Sequence, residues 1–420
     1  MGADGTVAPY LADLDHATLA VLGREWLLHG HLQDRVGMAL VMETADREQM
    51  QQIAIEEWMA ASPIYSRRMQ QALRFPGTGV TTICKNLQLD IGAPHEFMDF
   101  RFRLIDDDHA EFWLAHCGAL MDVEPMGEDF VRGMCHAIED PTFDATAAAT
   151  NPRAAIRPLH RPPRVPSDRT PHCHWRIDIG PDATIVDPHP LEAVVAASAA
   201  ARLPVVSPGD GGDGRSDYSG PFDPELRLED LSRSALEVAL EEFALQSHLL
   251  LRSFLVSVGG RLGPERAAAI LPRLVTGWCG LTAQRLRDAL QLPADVSGLA
   301  TMLSLHPMFA PRAYVATEVT VDGDLVRLSV ADCPALQEAD DRTWVTGLGG
   351  AADAAIALVA AAFHPQARCV AVPPEAGERH AFELRIDAAA EPRPEPPELA
   401  IAKVSSGAGF RFRGGFPRAS

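Results

Sequence analysis

A faint internal repeat, which restricts the possible folds more than any other pattern, appears when the chain is aligned with itself at an offset of about 215 residues. The segment EWLLHGHL, which begins at Glu25, resembles EFALQSHL, which begins at Glu242. At the same offset and without a gap, SRRMQQAL at 66–73 resembles AQRLRDAL at 283–290. A repeat of this length predicts that one supersecondary unit occurs twice.

Three further matches follow in the same order along the chain. They pair FWLAHCGAL, ending at Leu120, with LSVADCPAL, ending at Leu336; FVRGMCHAIED (130–140) with WVTGLGGAADA (344–354) after a slip of two residues; and HWRID (174–178) with ELRID (383–387). Each match is short, but chance similarity rarely keeps both order and spacing. The sequence therefore predicts two tandem copies of one module.

Each copy has the pattern of an α+β unit. Apolar residues at helical spacing predict two long helices at 11–43 and 46–74, and Pro63 should kink or split the second. The alternating segment 97–105, an Asp-rich turn and AEFWLAHC predict a β-hairpin. A helix at 127–139 and a strand at 172–179 complete the module. The expected fold is a helical pair with a small antiparallel sheet, the second copy being degenerate.

Composition sets the expected boundaries of these copies. Residues 1–180 form the active module, 231–388 the degenerate one, and 181–230 a partly disordered linker that is rich in Gly, Pro and Asp. One short helix is predicted inside the linker, at 190–201. Residues 389–420 are expected to form a flexible tail.

Charge and cysteine content narrow the class of protein. The formal net charge of −20 argues against a nucleic-acid partner, because a phosphate backbone needs a basic surface. No apolar run is long enough to cross a membrane, and no secretion signal is apparent. The seven cysteines then indicate reduced thiols in the cytoplasm. A dinucleotide fingerprint is missing, so no nucleotide cofactor is expected.

The two copies differ most in their reactive residues. Cys135-His136 corresponds to a pair of glycines in the second copy, Asp140 to an alanine, and His172-Cys173-His174 to Ala-Phe-Glu. Copy two has therefore lost most side chains with nucleophile or ligand character. This asymmetry predicts that a functional site, if there is one, lies in the first copy.

One hypothesis for this site is a metal centre. His136 and Glu139 are three residues apart on a predicted helix, and His172 and His174 share one side of a predicted strand. Together they could supply three or four ligands, and imidazoles with a carboxylate suit iron or zinc. The alternative is that these are ordinary polar residues near a sheet edge.

A second hypothesis uses the same segment without a metal. Cys135 would be a nucleophile, activated by His136 or by a strand histidine, with Asp140 or Glu139 orienting the imidazole. Adjacent side chains diverge by about 100° on a helix, so a strand histidine is the better partner.

Candidate substrate-binding residues come from two places. The proline-rich segment 150–169 carries five arginines, of which Arg157 or Arg161 is proposed to hold an acidic substrate. Glu25 and His29 of the first helix could line the same cavity. The alternatives are surface solvation for the arginines and salt bridges for the helix residues.

The pattern resembles the L-2-amino-thiazoline-4-carboxylic acid hydrolase family and the related vinyl-reductase-type ligand-binding domains. The matching residues are Cys117-Gly-Ala-Leu120, Cys135, Asp140 and Cys173-His-Trp-Arg-Ile177. The resemblance covers roughly 20–180 and, more faintly, 235–388. The added histidines and the long basic loop depart from the family's pattern.

This resemblance implies either a hydrolase that opens a ring or cleaves a C–N bond in a small carboxylate, or a binding domain for a small hydrophobic or heterocyclic ligand. The leading expectation is a cytoplasmic enzyme acting on a small carboxylate-bearing molecule. Its rivals are a sensor or carrier of a small ligand or metal, and a scaffold protein. The copies could pack as an internal pseudo-dimer, which leaves a further homodimer optional.

Overall fold

The computed structural model describes residues 6–181, 183–209 and 212–413, and these residues form an α+β fold with two antiparallel sheets. The fold class predicted from the sequence is therefore confirmed. Long helices carry most of the core, and the sheets lie against shorter helices.

The elements of the first half follow one another from the N-terminus to residue 196. They are β1 (Thr6–Val7), α1 (His16–Met42), α2 (Arg47–Ala72), α3 (Val80–Leu87), β2 (Met98–Leu104), β3 (His109–Cys117), α4 (Gly118–Val123), α5 (Glu128–Arg132), a π-helical turn (Gly133–Ile138), α6 (Glu139–Ala148), β4 (Ala154–His160), β5 (Cys173–Ile179) and α7 (Pro190–Ala196).

The second half repeats much of this order. Its elements are α8 (Arg233–Leu262), α9 (Pro264–Ala289), α10 (Val296–Ser304), β6 (Thr317–Asp322), β7 (Leu325–Ala331), α11 (Ala351–Phe363), β8 (Ala367–Val372), β9 (Glu378–Ile386) and α12 (Pro397–Ala402). Strand order agrees as well: the first sheet runs β2-β3-β5-β4, and the second runs β6-β7-β9-β8 with β1 added beside β6. Descent from one duplicated module stays a prediction.

Four long helices, α1, α2, α8 and α9, bring the halves together in one continuous apolar core. Asp15, Asp46 and Ser232 begin α1, α2 and α8 by accepting a backbone N–H of the first turn, which satisfies a donor that has no partner within the helix. The predicted helices at 11–43 and 46–74 are confirmed to within a few residues. Pro63 does not split α2, which packs along α8 over much of its length.

Two sequence expectations near the site need correction. The helix predicted at 127–139 is α5, a π-helical turn and α6 in succession, and it continues to Ala148. Part of the basic segment 150–169, predicted as a loop, is the edge strand β4, which pairs with β5. An edge position tolerates Pro158, because only one side of an edge strand joins the ladder.

The supposed linker and tail also pack against the core. Tyr218 is fully buried, and Lys85 donates to the carbonyls of Tyr218 and Gly220 at 2.7 Å each. In the supposed tail, Leu399 is buried against α9, and Ser405 binds Asp122. These contacts differ from the loose linker and flexible tail that the composition predicts for 181–230 and 389–420; residues 182, 210, 211 and 414–420 lie outside the described residues.

Within the described ranges, no helix is both long and apolar enough to cross a lipid bilayer.

Candidate functional site

The four predicted metal ligands do not come together. The Nε2 atom of His136 lies 2.7 Å from the carbonyl of Pro162, and the Nδ1 atom of His172 accepts the backbone N–H of Cys117 at 3.1 Å. His174 binds Glu111 at 2.9 Å, whereas Glu139 faces a cavity. Across the described part of the chain, no group of three or more His, Cys, Asp or Glu side chains is placed to hold a metal ion.

Strand geometry explains this separation. Along β5, Cys173 and Trp175 point inward, and Trp175 packs against Phe143 of α6. Side chains alternate along a strand, so His174 lies on the opposite face, beside Trp113. His172 lies before the first residue of β5, so the alternation of side chains along a strand does not require His172 and His174 to share a face.

The surroundings of the proposed nucleophile Cys135 do not favour an activated thiol. It lies in the π-helical turn, is 2% exposed, and has a raised thiol pKa because of burial and the nearby Glu139 carboxyl. The thiolate, which is the reactive form, is therefore disfavoured. Its proposed partners are engaged elsewhere: His136 lies against Pro162, and Asp140 forms an ion pair with Arg161.

The proposed substrate arginines are likewise paired. Arg157 binds Asp144 at 2.7 Å on the surface, and Arg161 joins Asp140 while lying over the Trp175 ring. Neither residue lines the cavity described below. Both arginines are thus engaged in ion pairs, Arg157 on the surface and Arg161 in a partly buried position, rather than solvated as in the alternative interpretation.

Glu25 and His29 also lie away from the predicted site. Glu25 binds Arg285 of α9, and His29 places Nδ1 2.7 Å from the Thr282 hydroxyl and stacks on Trp278. Both residues are buried where the halves meet. They hold the interface together rather than line the cavity of the first half.

The strongest candidate site is a cavity of about 540 Å³ in the first half. Its walls come from α1, α2, β2, the α4–α6 region and the C-terminal segment, which contributes Ile401, Val404 and Ser405. Six of the chain's twelve methionines line it: Met38, Met42, Met50, Met98, Met126 and Met134. Aromatic rings line it as well: Trp58, Phe100, Phe130 and Phe143.

One buried imidazole faces this cavity without a partner. His31 is 4% exposed, and neither ring nitrogen has a hydrogen-bond partner. Burial lowers its pKa well below the usual range, so the ring is neutral and offers one donor and one acceptor. A buried polar group without a partner is costly, which makes His31 the polar group most in need of a ligand.

Two acidic side chains in the cavity wall are also perturbed. Burial raises the pKa of Glu139 to about 8, and its Oε2 atom has no hydrogen-bond partner. Burial raises the pKa of Asp90 to about 6, although the Tyr65 hydroxyl and the Gly92 N–H both donate to it. Perturbed carboxyls in an apolar cavity are typical of functional sites.

Gly92, which lines the cavity, corresponds in the sequence to a much larger residue in the second half. The segments Gly92-Ala-Pro and Phe309-Ala-Pro lie 217 positions apart, the same spacing that separates His31 from His248. The local geometry agrees, because His31 meets the Phe97 ring edge to face at 5.3 Å and His248 meets Tyr314 at 5.0 Å.

In the second half, Phe309 packs edge to face on Trp344 at 5.5 Å, and both rings are buried. His248 there binds the Ala310 carbonyl at 2.8 Å, whereas His31 lacks such a partner. The second half thus has a large buried side chain at the position that corresponds to Gly92 in the sequence, and its histidine is paired within the protein.

Comparisons of the chain with protein-family models, with curated proteins and with solved structures gave no match. Interpretation of the site therefore rests on its geometry. Of the residues predicted from the sequence, Glu139 alone lines the cavity; His31, Gly92 and the methionines were missed. The contrast between Gly92 and Phe309 is the sequence signal that could have found them.

Proposed function

We propose that this protein binds a small, largely apolar organic molecule in the cavity of its first half. The observation that carries the proposal is the unpaired His31 imidazole in the wall of a cavity of about 540 Å³, to which methionine and aromatic side chains make a large contribution. Cavities that bind small molecules have this size and this combination of an apolar wall with a few polar groups.

The composition of the wall supports an adaptable binding site. Methionine is unbranched and polarizable, so it accommodates ligands of different shape. His31 and Glu139 give the ligand a few polar contacts that can fix its orientation.

Binding of a neutral fluorescent probe, N-phenyl-1-naphthylamine, tests the proposal. The probe should bind at a single saturable site with enhanced fluorescence. Gly92→Phe should weaken this binding at least about tenfold, because the ring takes the volume that Phe309 takes in the second half. A Cβ atom at Gly92 would lie 3.1 Å from Asp90 Oδ1 and 3.2 Å from the Trp58 ring, both in the cavity wall, so the added side chain must displace these groups or occupy space beside them.

Gly220→Phe is the matched control, because a Cβ atom at this exposed glycine meets nothing within 4 Å. The control should bind the probe like the wild type. Equal binding by Gly92→Phe and the wild type would refute the proposed site, as would an absence of saturable binding to the wild type.

A hydrolytic activity in the same cavity is a second candidate. It is favoured by the presence of two carboxyls whose pKa values, about 8 for Glu139 and about 6 for Asp90, suit a general acid and a general base near neutral pH. On this hypothesis Glu139, rather than Cys135, supplies the proton to a leaving nitrogen. The ring-opening chemistry implied by the family resemblance would use such a pair.

Incubation with 2-amino-thiazoline-4-carboxylate, followed by mass spectrometry for the gain of one water, tests this candidate. Glu139→Gln should abolish the product while the circular dichroism spectrum stays that of the wild type. Product formed at the wild-type rate by Glu139→Gln would rule out the role of Glu139.

A further inference from the structure

Building on the proposed function, we infer that the preferred ligand is an apolar organic cation, a protonated amine attached to an aromatic or aliphatic body. Three independent features of the cavity support this: the sign of its charged groups, the identity of its unpaired atoms and the rings in its wall.

Carboxyl groups outnumber basic groups in the wall. Asp34, Asp90, Asp122 and Glu139 line the cavity, whereas Arg35 is the one lysine or arginine among the described lining residues. Arg35 already donates to Asp34 at 2.8 Å and lies near Asp122. The charge of Arg35 is therefore already matched by carboxylates, although its Nε atom has no hydrogen-bond partner in the described part of the chain. An anionic ligand would meet more carboxyl groups than basic groups, and transfer of an unpaired charge out of water is strongly unfavourable.

Acceptors prevail among the unpaired atoms of the wall. Asp34 is 7% exposed, and its Oδ1 atom has no hydrogen-bond partner; the same holds for Oε2 of Glu139. The neutral imidazole of His31 adds a further acceptor. An ammonium group carries three donors and no acceptor, so it matches such atoms, and its charge would favour the ionised form of the Glu139 carboxyl.

Aromatic rings complete the environment. Trp58, Phe100, Phe130 and Phe143 present their rings to the cavity. The face of an aromatic ring attracts a cation, and the attraction is largest where water is excluded. The apolar body of the ligand would contact the methionines, and its charged end would lie on the side of the carboxyls.

Three size-matched probes test the inference by competition with N-phenyl-1-naphthylamine: 1-naphthylmethylamine, 1-naphthalenemethanol and 1-naphthoate. The amine should bind at least about tenfold more tightly than the alcohol, and the carboxylate at least about tenfold more weakly. Glu139→Gln should remove most of the preference for the amine, so that amine and alcohol bind within about threefold of each other.

Glu128→Gln is the matched control, because it removes one carboxylate from the exposed helix α5, outside the cavity. It should keep the wild-type preference. The inference would be overturned if the carboxylate bound as tightly as the amine, or if the two Gln variants had equal effects. In that case, binding of the alcohol to the wild type and its loss in Gly92→Phe would still support the proposed function. Failure of all three probes to bind would overturn both.

Discussion

Arg285 of α9 binds Glu25 of α1 through two hydrogen bonds, with Nε 2.8 Å and Nη2 2.9 Å from the two carboxylate oxygens. Arg68 of α2 makes the corresponding pair with Glu242 of α8, at 3.1 and 2.8 Å. Both glutamates and both arginines are separated by 217 positions in the chain. Each half therefore supplies the acid for one pair and the base for the other, which is the reciprocity of a two-fold interface.

The reciprocity extends to the segments that follow each sheet. Arg68 also donates to the carbonyls of Ala201 and Leu203, and Arg285 to those of Gly407 and Phe410. The supposed linker and the supposed tail thus hold equivalent places in the two halves. Each of these two arginines therefore joins a helix of the other half to a segment outside the four long helices.

Arg285→Met is expected to lower the free energy of unfolding by about 3–5 kcal/mol, because it leaves the buried Glu25 carboxylate without its partner. Urea denaturation measures the change. Arg132→Met is the control, since Arg132 pairs with Glu128 on the exposed surface and should contribute less than about 1 kcal/mol. Similar losses for both variants would contradict the proposed role of the interface pair.

Phe309→Ala tests whether removal of a large side chain creates a cavity in the second half, as addition of one at Gly92 should fill the cavity in the first half. Removal of this buried ring from its contact with Trp344 should destabilise the protein by about 3–5 kcal/mol through lost burial and a residual cavity. The new cavity should take up a second equivalent of N-phenyl-1-naphthylamine in a fluorescence titration. A loss below about 1 kcal/mol would mean that the second half collapses around the gap.

Glu139 should make stability depend on pH. Its pKa is about 8 in the fold against 4.5 ordinarily, so the folded protein holds a proton that the unfolded chain releases. The associated stability is complete below pH 4.5 and is lost as pH rises towards 8. The free energy of unfolding of Glu139→Gln, relative to that of the wild type, should therefore be on the order of 3 kcal/mol higher at pH 8.5 than at pH 5.

Urea denaturation of both proteins at the two pH values gives this difference, and the comparison cancels the other titrating groups. Glu128→Gln, which removes an exposed carboxylate, should show little change in its difference from wild type. A pH-independent difference for Glu139→Gln would mean that Glu139 is ionised in the fold.

Periodicity predicted the long helices and the hairpin, because apolar spacing at the period of a helix or a strand reports which face is buried. Periodicity did not predict β4, because Pro158 and several arginines give this segment the composition of a loop. The strand forms by pairing with β5, a long-range contact that local periodicity does not report. The prediction for His172 and His174 failed because the strand begins at Cys173.

The cavity was harder to predict than the fold. That Glu25 and His29 face the other half, rather than a site, depends on how α1 packs on α9. His31 is unpaired because no backbone carbonyl of the described residues lies beside it as that of Ala310 does beside His248. The position of a carbonyl depends on the tertiary structure and cannot be predicted from the neighbouring residues in the sequence. The difference between Gly92 and Phe309 is the exception. Where a small residue in one matched segment corresponds to a large residue in the other, the sequence predicts additional space beside the small residue.

The thiols beside Glu139 should be inert in the folded protein. Burial raises the pKa of Cys117 to about 12, and burial also raises the pKa values of Cys135 and Cys173. Alkylation by iodoacetamide at pH 7.5 should therefore be at least about 100-fold slower at these three cysteines in the native protein than in urea. Peptide mass spectrometry over time measures each rate. Rapid alkylation of Cys135 in the native protein, with the other two unmodified, would instead identify an activated thiol and revive its role as a nucleophile.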